Sequence, residues 1–174
     1  AMFIDFNGAE KFRYDYYRLC HLLFINNYIK PIYEWCEANG CRLTGHAVEE
    51  STLSGQMWCC GGVMPFYEYE HIPGIDYLGR GLASDIAPKQ LGSVCAQLGK
   101  KKAISEMFAC CGWDVKPVEL KRIAELQYAG GVNMMCQHLY SYTERGQRKR
   151  DYPAHYSEHN PWQPYLSDFD RFFN

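Results

Sequence analysis

Two glutamates stand where an apolar pattern should continue. In KKAISEMFACCGWD, Glu106 follows Ala103-Ile104-Ser105 and precedes Met107-Phe108, and in CRLTGHAVEE, Glu50 closes a run that begins at Cys41. A carboxylate moved away from water needs a partner, a proton or a task. Both runs read as strands, two apart in chain order. Neighbouring strands are spaced about 4.8 Å, so strands two apart lie roughly 10 Å from each other, and inward-reaching glutamates can close to the separation that glycosidic-bond cleavage uses. In that chemistry one carboxylic acid protonates the leaving oxygen, and the other carboxylate serves as nucleophile or as base. The bland alternative is that each glutamate caps a loop or pairs with an arginine such as Arg80. Glu49 falls on the face opposite Glu50 if strand alternation continues to that point.

Other polar groups gather at the same ends. His46 lies four residues before Glu50 and on its face of the expected strand, while His138, Tyr140 and Tyr142 share a face at the last strand and beyond it. Such groups can orient a carboxylate or hydrogen-bond sugar hydroxyls. Trp58, Trp113 and Trp162 offer apolar rings for stacking, and Trp113 is the best placed because it lies just beyond Glu106. The run ERGQRKRD, Glu144 to Asp151, is basic but bracketed by acids, so it reads as a solvated or substrate-contacting loop rather than a nucleic-acid surface. No His-x-His sits on a strand and no tight cysteine spacing occurs, so no metal site is expected. Nine cysteines, an odd number with adjacent pairs at Cys59-Cys60 and Cys110-Cys111, make a poor disulfide framework. They are expected as reduced thiols, most of them in the core, in a reducing cytoplasm.

The elements that must position these groups follow from punctuation and period. Phe12, Tyr16, Leu19, Leu23, Ile32, Trp35 and Cys36 recur at helical spacing, with Pro31 kinking or dividing the helix and Asn39-Gly40 ending it. Strands are predicted at 41–48, 74–79, 101–108 and 131–138. Helices are predicted from Pro88 to Leu98 and from Pro117 to Gly130-Gly131. The long connection from Ser51 to Gly74 is too apolar for disorder and reads as a functional loop. Strands alternating with helices imply parallel pairing by right-handed crossovers, hence an α/β fold. With Glu50, Asp76, Arg80, Glu106 and His138 all near C-terminal strand ends, the pattern is that of a partial (β/α)8 TIM barrel of about four βα units, a half barrel. A doubly wound sheet is the competitor, but no glycine-rich phosphate loop follows any strand.

Composition narrows the classes. The 174 residues carry 47% hydrophobic content and a net charge of -2. That suffices for one domain, residues 1–174, or one piece of a larger one, and gives no global attraction to nucleic acid or an anionic membrane. There is no run of membrane-spanning length, and AMFIDFNG lacks the features of a secretion signal. Ala1 before Met2 reads as a residue left by tag cleavage.

Taken together, TGHAVEESTLSGQ, YEYEHIPGIDYL, KKAISEMFACCGWD and GGVNMMCQHLYSYTERGQRKRDYPAHYSEHNPW resemble the catalytic barrel of large bacterial glycoside hydrolases. The nearest type is the family 106 α-L-rhamnosidases, with family 2 and family 42 β-galactosidase-like enzymes as broader relatives. The resemblance runs from Phe12 onward and implies Glu50 and Glu106 as the two carboxylates. It places His46, His138, Tyr140 and Tyr142 around a sugar subsite. It implies no redox cofactor, and calcium by family analogy only. The expectation is a glycosidase acting on a carbohydrate substrate, retaining or inverting. The alternative is a non-catalytic half barrel that binds carbohydrate or assembles with a copy of itself or with the remainder of a larger barrel.

Overall fold

The computed structural model describes residues 2–81, 84–147, 152–157, 160–161, 163–165, 167–168 and 171. Trp162, and 148–151 of the basic run, lie outside the described residues, as do Phe169 and Phe172 near the C-terminal end of the sequence.

The chain opens with helix α1 (Ala9–Phe24), a π-helical turn (Ile25–Ile29) and helix α2 (Lys30–Ala38). Pro31 has no N–H to give and sits in the first turn of α2. The backbone before it loosens to π spacing, with the Lys30 N–H reaching back to the Ile25 carbonyl. Gly40 takes the left-handed conformation past the helix end, and the Cys41 N–H closes onto the Cys36 carbonyl at 2.9 Å. The helical period expected here is observed, but much of its apolar face is bare. Leu19, Leu23 and Trp35 are exposed, whereas Ile25, Ile29 and Cys36 are buried.

Two expectations are corrected in the next segment. No strand forms over 41–48; a single parallel bridge, Thr44 to Ile72, marks the place. The stretch from Ser51 to Gly74 is not a loop but carries two short helices, α3 (Leu53–Cys59) and α4 (Met64–Glu68). Thr52 starts α3, its Oγ1 accepting from the Gly55 N–H at 3.0 Å.

From Gly74 the chain alternates as expected: β1 (Gly74–Tyr77), α5 (Ile86–Leu98), β2 (Ile104–Met107), α6 (Pro117–Gly130) and β3 (Met134–Gln137). The strands pair in parallel in the order β1-β2-β3, with Gly74 opposite Ile104 and Ile104 opposite Met134. The architecture is mixed α/β around a three-stranded parallel sheet. Helix α6 begins with Pro117, and Glu119 accepts from the Lys116 N–H at 2.9 Å, which satisfies a donor the helix cannot. Helices α5 and α6 cross at glycines: a Cβ on Gly92 would lie 2.3 Å from the Gly130 carbonyl oxygen.

Alternation divides the sheet into two faces. Ile75, Tyr77, Ser105, Met107 and Met135 point toward the helices and are buried with Leu91, Leu120 and Ile123. Ser105 donates to the Gln127 side chain of α6, and the Tyr77 hydroxyl donates to the Ser84 carbonyl at 2.6 Å, so both hydroxyls on that face are bonded. The other face carries Asp76, Glu106 and Cys136, each the third residue of its strand and each opposite the next in register. No helix among the described residues is long and apolar enough to cross a membrane.

Candidate functional site

Glu106 lies on the open face between two imidazoles. His46 Nε2 is 3.7 Å from Glu106 Oε2, and His138 Nε2 is 3.7 Å from Glu106 Oε1. These distances are too long for hydrogen bonds, so they become ion pairs only when the imidazoles are protonated. Asp76 completes the group: one donor atom each from His46, Asp76 and Glu106 lie within 4.8 Å of one another. Cys136 continues the row on β3, its thiol pushed up by partial desolvation beside the sheet and by the Glu106 carboxylate.

Three local features assemble this cluster. Parallel in-register pairing puts Asp76 and Glu106 side by side. The His138 N–H donates to the Met107 carbonyl at 2.9 Å, which carries the pairing past the end of β3. His46 arrives because Gly74 has no side chain: a Cβ there would lie 2.2 Å from the Gly45 carbonyl oxygen, so any other residue would push the segment off β1.

Glu50 is not on the open face. It is 3% exposed, and its carboxylate accepts from Tyr67 Oη at 2.6 Å, the Ala47 N–H at 3.2 Å and the Asp76 N–H at 2.9 Å. Glu70 does the same one step earlier, accepting from the Gly74 N–H at 3.2 Å. These two amides point outward from β1, where a neighbouring strand would supply carbonyl oxygens. Two buried carboxylates stand in for those carbonyls, and this is why 41–48 pairs only at Thr44. Burial pushes Glu50 up to about 7 against the lowering effect of its three donors, and pushes Glu70 up to about 8. The Tyr67 phenol is pushed up too, first by burial and then by the Glu50 charge.

The chain turns after Val48, with Glu49 at positive φ, so strand alternation does not reach the Glu49-Glu50 pair. Glu50 touches the cluster through the backbone of Asp76, not by facing Glu106 across a gap. Asp76, expected near a C-terminal strand end but given no role in the chemistry, is the carboxylate that stands beside Glu106. Arg80, weighed as a partner for either glutamate, takes neither. Its Nη1 donates to both oxygens of Asp114 and its Nε and Nη2 form a bidentate pair with Glu119, tying the loop after β1 to the start of α6 and holding both carboxyls below their ordinary range.

The remaining candidates are more scattered. Trp113 is half exposed and stands edge-on to buried His155, with ring centroids 4.7 Å apart. Tyr140 and Tyr142 are exposed. Trp58 belongs to a separate cleft with Tyr16, Tyr17 and Phe24. A cleft of about 210 Å³ opens beside Asp76, lined also by Ser51, Tyr77, Leu78, Gly81 and Ser84. The cysteines are all unpaired, and fewer are in the core than expected: Cys36, Cys60, Cys95 and Cys111 are buried and the other five exposed. In each adjacent pair one thiol points in and one out.

Calcium, implied only by resemblance, takes about six to eight oxygen ligands. One imidazole and two carboxylates do not fit it, so no step is assigned to that ion. Comparison with known protein families, curated proteins and solved structures found no match.

Proposed function

We propose that the chain carries part of a glycoside hydrolase site, on a portion of a (β/α)8 barrel like that of the family 106 α-L-rhamnosidases. The observation that carries this reading is Glu106, an open carboxylate at the C-terminal end of a parallel strand, flanked by His46 and His138 with Asp76 beside it. Active sites of parallel barrels are built at that end of the strands. Glu106 attacks the anomeric carbon, the glycosidic oxygen leaves with a proton from an acid, and water then releases the sugar. His138 and the exposed Tyr140 and Tyr142 contact hydroxyls, and Trp113 offers a ring to the sugar.

Two residues compete for the role of acid. Asp76 has the position, since retaining enzymes hold their carboxyl groups about 5–5.5 Å apart and its oxygen lies within 4.8 Å of one on Glu106. Glu50 has a raised value of about 7, but its oxygens are engaged by three donors. Asp76 is taken as the acid, with Glu50 supporting its backbone. A good leaving group needs little protonation, so loss of the acid should spare activated aryl glycosides and impair alkyl ones.

A panel of nitrophenyl glycosides, the α-L-rhamnoside and β-galactoside included, tests the reading. Cleavage of at least one is expected, lowered roughly a thousandfold or more by Glu106→Gln. A folded protein that cleaves none of them, or a Glu106→Gln variant of normal turnover, overturns it. Sugar binding without turnover would favour the non-catalytic carbohydrate-binding alternative.

A further inference from the structure

We propose that His46, Asp76 and Glu106 bind a divalent first-row transition cation, one that accepts an imidazole nitrogen beside carboxylate oxygens. Their donor atoms lie within 4.8 Å of one another and come from three separate segments. Small side-chain rotations bring them onto one ion at the roughly 2.0–2.2 Å typical of such bonds. Asp76 and Glu106 also stand directly opposite on adjacent strands. Like charges in that arrangement destabilise a sheet, and a dication between them removes the repulsion.

The orientation of His46 is an independent indication. Its Nδ1 is 2.7 Å from the Ala47 carbonyl oxygen. A carbonyl only accepts, so in the neutral ring Nδ1 carries the proton and Nε2 keeps its lone pair. Nε2 is the atom that faces Glu106. Ligating histidines are held in this way, with the far nitrogen donating to a backbone carbonyl or a carboxylate.

Glu50 supplies the support behind both donors. Its carboxylate accepts from the amides of Ala47 and Asp76, so one buried group fixes the backbone carbonyl that orients His46 and the strand residue that presents Asp76. The imidazole excludes ions that want oxygen alone, calcium and magnesium among them. The inference uses the cluster but not the proposed hydrolysis, and a cation held there would occupy a Glu106 oxygen that hydrolysis needs.

Manganese is the probe, because the unpaired thiols elsewhere in the chain would take up zinc. The metal-free protein is titrated with Mn2+ while the electron paramagnetic resonance signal of the free ion is followed. One bound ion per chain is expected, with affinity lowered by more than the roughly tenfold to hundredfold that losing an outer-shell partner costs, by His46→Ala and by Asp76→Asn, and not displaced by a tenfold excess of Ca2+. Thermal melting confirms that each variant is folded; His46 is exposed, so its replacement leaves the core intact. Failure to bind at millimolar Mn2+, binding unchanged in both variants, or displacement by Ca2+ overturns the proposal. A protein that hydrolyses no glycoside still gives a decisive titration, so the two readings fail separately.

Discussion

The two faces of the three-stranded sheet are made from alternate residues of the same strands, yet they obey different rules. On the helix side Ile75, Met107 and Met135 are buried against α5 and α6, and the hydroxyl of Ser105 has a dedicated partner in Gln127. On the other side Asp76, Glu106 and Cys136 form a row in register, with two carboxylates adjacent and imidazoles at 3.7 Å. The first face has its strand hydroxyls bonded and is packed against helices. The second keeps like charges together without bonding them to each other, which costs stability and leaves the groups available. Neighbouring residues of one strand, Glu106 and Met107, therefore separate chemistry from folding.

The sharpest way to break that comparison is to exchange the two effects. Met107→Ala leaves a cavity where the side chain is fully buried, and should lower unfolding free energy by about 2–5 kcal/mol in urea titration. Glu106→Gln should leave the urea midpoint unchanged or raise it slightly, since it relieves the opposition to Asp76. A Glu106→Gln variant as destabilised as Met107→Ala would mean that the open face is structural after all.

The next effect belongs to the carboxylates at the β1 edge. Glu50 and Glu70 have folded values of about 7 and about 8, above the ordinary carboxylate range. The folded state therefore binds protons that the unfolded state has released, and stability must fall as pH rises from about 4.5 toward 8 before levelling off. The loss should be on the order of a few kcal/mol. Urea midpoints at pH 5, 6.5 and 8 measure it. Glu70→Gln should flatten the slope, because Glu70 Oε1 is buried without a hydrogen-bond partner and its charge is the costlier of the two. A midpoint that stays flat across these pH values would assign both carboxylates ordinary values, and one that rises would place them below that range; either removes the argument that they are buried in place of strand carbonyls.

The smallest effect concerns surfaces. The open sheet face and the bare apolar side of α1 and α2, with Leu19, Leu23 and Trp35 exposed, should seek cover in a second copy of the chain. Light scattering over a dilution series should show a dimer or larger species that dissociates at low concentration. A monomer throughout would mean that these surfaces are tolerated singly.

Much of the α/β pattern was legible in the sequence. Helix boundaries at Pro31, Gly40, Pro117 and Gly131 follow from residues whose own backbone preferences decide the matter, and the three strands lie inside the predicted segments. Glu106 was legible as well, because a period of two assigns each strand residue to a face and a carboxylate cannot hide on an apolar one. Bare helical spacing also predicted which residues of α1 share a side, but not that the side would lack cover.

What only the tertiary structure decided is what each acidic group does. CRLTGHAVEE has the composition of a strand, yet whether it pairs depends on what else reaches the outward amides of β1. Glu50 and Glu70 reach them first, from segments lying 24 and 4 residues ahead of β1 in the chain. That competition is between a backbone carbonyl and a side-chain oxygen for the same N–H, and no local pattern records its outcome. Sequence separation likewise hid the pairing of Asp76 with Glu106, since register between parallel strands is set by the packing of the crossover helix. The type of each residue is local information; its partner is a property of the folded chain.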